Sequence, residues 1–185
     1  MRFDSSRYGP HVAAVLELDG GGWRLMPLAS GTCSSEEAAR RLREASPRGL
    51  FPEARAPEAA FSGLWLYFSC LEESHRLSQD ISTAEGSFWH GIMHRQEPDA
   101  GNAGYWFRRT GRHPVFEPLR EEAGGILAEY PAVDFRTGSA WDPFDFVDFC
   151  ERARRKPGSP EEEAAQKIQR AEWQLLFDYC ARANQ

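Results

Sequence analysis

Apolar positions along this chain recur mostly at helical spacing. Phe61, Leu64, Trp65, Phe68 and Leu71 fall at i, i+3, i+4, i+7 and i+10, one stripe of a helix predicted to start near Pro57 and run past Ser74. Leu66 and Tyr67 widen that stripe nearly all round, which predicts a central, buried helix. Near the C-terminus, Ala164, Ala165, Ile168, Ala171, Leu175, Leu176, Tyr179 and Cys180 mark the apolar face of an amphipathic helix of about six turns.

Start and stop signals divide the rest. Ser34-Ser35-Glu36-Glu37 has the form of a capping box, with Ser34 as N-cap and Glu37 at N3 of a helix that ends before Pro47. Thr83 or Ser87 is placed to cap the helix carrying FWHGIMHR, which Pro98 ends. Asp99 then caps AGNAGYWFRRTG, and Gly111 with His113-Pro114 stops it. Asp142-Pro143 and Ser159-Pro160 pair an N-cap with a proline at N1, the second followed by three acids on the positive end of the helix dipole. Residues 121–140, rich in glycine, alanine and turn formers, read as a long surface connection. At the start, HVAAVLEL is broken by Asp19-Gly20-Gly21-Gly22, consistent with either a short hairpin or a short helix ending at Asp19. No G-K-[ST] follows the glycines, so they predict a turn and not a phosphate loop. The expectation is an all-α, single-domain bundle or array over 1–185, with 1–30 the segment of weakest pattern and a short N-terminal hairpin as its β alternative.

Composition narrows the function classes. A chain of 185 residues with 41% hydrophobic content can bury a full core. Net charge −6 argues against a general nucleic-acid or anionic-membrane partner. The longest apolar run, around Gly63 to Phe68, is far too short to span a bilayer, and MRFDSSRYGPH lacks the apolar core of a secretory signal. Cys33, Cys70, Cys150 and Cys180 form no C-x-x-C pair, and Cys70 and Cys180 fall in apolar helical patterns. Both are expected to be reduced core residues, which suits the cytoplasm. A homo-oligomer is left open.

The chemistry concentrates between Gly86 and Phe116. That stretch holds three of the five histidines and four arginines (Arg95, Arg108, Arg109, Arg112) against two acids (Glu97, Asp99), a local balance of +2 in a chain of −6. His90 and His94 are four apart, so both imidazoles can face one way, the spacing of two ligands in H-E-x-x-H metal sites. Gly91 stands where that motif has glutamate, which makes the pair a weak metal candidate only. Acid/base catalysis by His90 or His94 beside Glu97 or Asp99 is the alternative chemistry. His75 and Gln79 lie four apart on the preceding helix; Asn102, Trp106 and Arg109 recur at helical spacing, as do Tyr105 and Arg108. With Arg95 and His113 these residues suggest a seat for a small anionic molecule, no cofactor being named by any motif. The equal alternative is that Arg95 and Arg108 or Arg109 pair with Glu97, Asp99 and the neighbouring acidic helices. Ser69, Ser74 and Ser78 sit in no nucleophile elbow, and Asp142, Asp145 and Asp148 are better explained as a solvated face.

Two functional expectations follow. One is a pocket protein for a small anionic ligand, with histidine acid/base or metal-assisted hydrolysis as its chemistry. The other is a non-catalytic helical interaction or scaffold module whose polar residues form a buried, fully satisfied network.

SHRLSQD, GSFWHGIMHRQEPDAGNAGYWFRRTGRHPVF, WDPFDFVDFCE and EWQLLFDYC together resemble a family of uncharacterised bacterial proteins, over most of the chain from Phe61 on. The resemblance implies a helical fold and makes the WHGIMHR, EPD, NAGYWFRR and GRHP cluster the natural site. NAGYWFRRTG is also similar to the second helix of Sel1-like and tetratricopeptide repeats. It occurs once, whereas such architectures need several copies to bury their faces, so that likeness implies a helix hairpin alone.

Overall fold

A computed structural model describes residues 3–183, and among them the protein is all-helical. The helices are α1 (Pro10–Leu16), α2 (Glu36–Glu44), α3 (Pro47–Leu50), α4 (Pro57–Tyr67), α5 (Leu71–Ser78), α6 (Ala84–Gln96), α7 (Ala100–Thr110), α8 (Phe116–Ala128), α9 (Pro143–Ala153) and α10 (Pro160–Ala181). No strand forms in the described part of 1–30: α1 runs directly into a 3-10 segment, Glu17–Gly22, in place of a hairpin. Gly20, Gly21 and Gly22 all take positive φ there, a turn that side chains would resist.

Local signals place most helix starts. Asp99, Asp142 and Ser159 cap α7, α9 and α10 through their side chains, and Thr83 caps α6. The α2 cap is Ser35, one residue later than the capping-box reading, and accepts from the Ala38 amide.

The core is built on α4, α6 and α10. Every residue of α4 except Glu58 is buried, as the near-continuous apolar pattern predicts. The predicted long helix is interrupted, however. Ser69 takes φ +58, and the chain reverses there, so that α5 folds back on α4 with Ser62 Oγ 3.1 Å from Ser74 Oγ. Close approach needs Gly63: a Cβ there would stand 2.7 Å from the Trp89 ring of α6, while the Gly63 carbonyl accepts the Trp173 indole N–H of α10 at 2.7 Å. α10 buries more than its apolar stripe, taking Gln169, Glu172 and Trp173 inside as well. The 121–140 segment is not all connection either: α8 continues to Ala128, with Leu119, Ala123 and Leu127 buried at i, i+4 and i+8 and Gly124 and Gly125 on its exposed side.

Cys33 and Cys70 form a disulfide with Cα atoms 4.6 Å apart, which corrects the expectation of a reduced Cys70. It ties the segment before α2 to the residue that precedes α5. Cys180 and Cys150 are free and buried, and burial pushes the Cys150 thiol up to about 12. Among the described residues no helix is long and apolar enough to cross a membrane.

Candidate functional site

Three helices meet around the histidines. The Asp80–Ser82 reversal sets α5 antiparallel to α6, so that Ser78 faces His90 while His75, one turn earlier, faces His94, one turn later. The His75–His90, His90–His94 and His75–His94 ring centroids are 4.7, 4.7 and 5.3 Å apart. One nitrogen from each ring lies within 4.8 Å of the other two. The expected pair on α6 is therefore a triad, completed by the histidine of α5.

Two of the rings have an oxygen beside Nδ1. Ser78 Oγ gives its single proton to the Ser74 carbonyl at 2.7 Å, so its lone pair is what meets His90 Nδ1 at 2.8 Å. Glu97, the C-cap of α6, places Oε2 3.1 Å from His94 Nδ1. The Ser78 contact favours the His90 tautomer with the proton on Nδ1 and a bare lone pair on Nε2, while Glu97 acts on His94 as a neighbouring negative charge. Burial, with His94 and His75 adding to it, pushes His90 down to about 3. Burial also lowers His94, against the pull of Glu97 in the other direction. Both rings are thus neutral at physiological pH.

α7 forms the outer wall. The Trp106 ring lies over His90 at 4.0 Å, and the Arg109 guanidinium lies over Trp106 at 5.1 Å and 3.4 Å from the Tyr105 hydroxyl. Among the described residues Arg109 has no carboxylate within 4 Å, and it is exposed together with Tyr105. His90 and His94 are 1% and 7% exposed, whereas His75 is half-buried, so the cluster opens along the His75 edge.

Other candidate residues sit elsewhere or do other work. Arg95 turns into the core, where both of its terminal nitrogens reach Glu172, one also reaches Gln169, and the guanidinium lies over Phe146 at 4.5 Å. Burial pushes the Glu172 carboxyl up, and Arg95 opposes that push. Gln169 in turn donates to the Met26 and Pro27 carbonyls at 3.2 and 3.1 Å. His113 packs among Phe88, Phe116 and Tyr179, accepts from the Val115 amide, and stands 3.8 Å from Glu85. Asn102 donates its backbone and side-chain N–H groups to Asp99, which lowers the Asp99 carboxyl and completes the α7 cap. Gln79 is exposed at the end of α5. Asp142, Asp145 and Asp148 are all exposed.

Sequence reasoning missed Ser78 as the partner of His90. Its signal was the three-residue step from His75, which puts both on one helix face. Glu172 and Gln169 carried no signal beyond two polar residues close to an apolar stripe.

What the arrangement offers chemically is three imidazoles in mutual reach, two of them with an oxygen beside Nδ1, under an aromatic and cationic wall. Comparison of the chain with protein-family models, curated proteins and solved structures finds no match, so its function is read from this chemistry alone.

Proposed function

We propose that His75, His90 and His94 bind a divalent transition metal of the zinc class, and that the ion receives a small anionic ligand at its open position. The observation that carries this reading is the gathering of one nitrogen from each of three imidazoles within 4.8 Å of one another, with Ser78 and Glu97 beside two of the rings. Imidazole suits such ions, and ligating histidines typically hand their other nitrogen to a carboxylate or another oxygen. A tetrahedral zinc with bonds of about 2.0–2.1 Å holds its nitrogens about 3.4 Å apart, which small ring rotations supply here. Three protein ligands leave a fourth position, where an ion of this class acidifies water for attack on an ester, amide or phosphoester. Metal-assisted hydrolysis of a small anionic substrate is the reaction class this favours. Arg109, held over Trp106 at the rim, is the group to draw in the anion, while Glu97 acts as a positioning residue for His94.

The scaffold reading draws its support from Arg95, whose contacts with Glu172 and Gln169 form a buried network that leaves only its Nε without a partner among the described residues. That network and the histidine triad are separate groups of contacts, so one structural role does not account for both.

Elemental analysis of protein purified without chelators, followed by zinc titration of the stripped protein, tests the proposal. One ion per chain is expected, with loss of tight uptake in His75→Ala while helical circular dichroism is kept. A stripped, folded wild type that takes up no zinc overturns the proposal, as does a folded His75→Ala that binds as tightly as wild type.

A further inference from the structure

We infer that Cys33, Cys70 and Glu73 form a second metal site that opens only when their disulfide is reduced. A carboxylate oxygen of Glu73 and the two sulfurs all lie within 4.8 Å of one another. Glu73 stands in the first turn of α5, and Arg43 of α2 holds it from outside at 3.2 Å. The carboxylate is therefore already positioned beside the sulfurs while they are bonded to each other. With the S–S bond intact neither sulfur can ligate, and the site is closed. Two thiolates and a carboxylate are a donor set for zinc, with bonds of about 2.3 Å to sulfur and 2.0–2.2 Å to oxygen. Such an ion separates its two sulfurs to about 3.8 Å, a change that side-chain rotation at the less buried Cys33 can provide.

The opening step is thiol–disulfide exchange with a dithiol reductant. A reductant thiolate attacks Cys33 sulfur, which is half-buried where Cys70 is 2% exposed, and Cys70 leaves as the thiolate. The second reductant thiol then displaces Cys33. Two electrons pass to the protein disulfide, the reductant ends as its own disulfide, and the protein holds two thiols. Metal binding releases their two protons. Both proposed metal groups draw on the eight-residue α5, this one through Glu73 and the other through His75.

Cobalt(II) is the probe, since a thiolate site gives a near-ultraviolet sulfur-to-cobalt charge-transfer band that a histidine-only site lacks. The protein is reduced with an immobilised dithiol, separated from it, and titrated without oxygen. In the His75→Ala background, which disables the histidine group, the band should saturate at one ion per chain after reduction, be absent from the disulfide form, and be lost when Cys33→Ser is added. In Glu73→Gln the affinity should fall about tenfold or more. A reduced, folded chain without the band overturns the proposal, as does a Glu73→Gln variant with unchanged affinity. Loss of helical dichroism on reduction also overturns it, because no folded site then exists. If the histidines fail to bind metal, this band is unaffected, so the two readings fail separately.

Discussion

Glu97 Oε2 lies 3.1 Å from His94 Nδ1, and that contact joins the last residue of one helical signal to the chemistry of another. The helix stops at Glu97, ahead of Pro98, so the carboxylate falls where the final turn bends back towards His94. In Glu97→Gln the negative charge behind the imidazole is gone. Zinc affinity, read by competition with a chromophoric chelator, should drop about 10–100-fold with little change in the urea midpoint.

Arg109 should matter for the anion and not for the fold. It is exposed and, among the described residues, held by Tyr105 and Trp106. Arg109→Ala is expected to change stability by no more than about 0.5 kcal/mol. Phosphate or acetate binding to the zinc-loaded protein, measured by calorimetry, should weaken by about tenfold.

The opposite pattern is expected for Arg95 and Glu172. Glu172→Ala leaves a buried guanidinium without its carboxylate, at a cost of about 3–5 kcal/mol in chemical denaturation. The paired replacement Arg95→Met with Glu172→Leu should recover most of that loss, while zinc uptake per folded chain is unchanged in both.

Glu85 is a part-buried contributor to acid stability outside the triad. His113 above all holds the Glu85 carboxyl down at about 2, below its ordinary 4.5. Between those values the unfolded chain binds the proton and the folded chain does not. The contribution is therefore complete above about 4.5 and is lost as pH falls towards about 2. Urea midpoints of wild type and Glu85→Gln should differ more at about pH 6 than at about pH 3.5.

The elements that were legible in the sequence are those whose causes are local. Asp99, Asp142 and Ser159 act within three residues, and the α4 pattern follows from burial on every side. Ser69 was not legible, because a serine at φ +58 is held there by the surrounding fold. Gly124 and Gly125 hid α8, since low helix propensity on an exposed face was outweighed by Leu119, Ala123 and Leu127 packing inward. In the site, the α6 pair was readable from its spacing, but His75 joins it only through the reversal between α5 and α6. Arg95 was read as a ligand group because its partner Glu172 is 77 residues away. The Cys33–Cys70 bridge likewise closes a separation of 37 residues that no local spacing announces.

Helix α5 has eight residues, fewer than an isolated peptide needs to stay helical in water. Its order is lent by α4 and α6, with the bridge at Cys70 fastening one end. Free energy released by an ion at His75 would therefore appear first as a longer closed lifetime of this one segment. Amide hydrogen exchange along Leu71–Ser78 would then report occupancy of the histidines well before global unfolding responds to it.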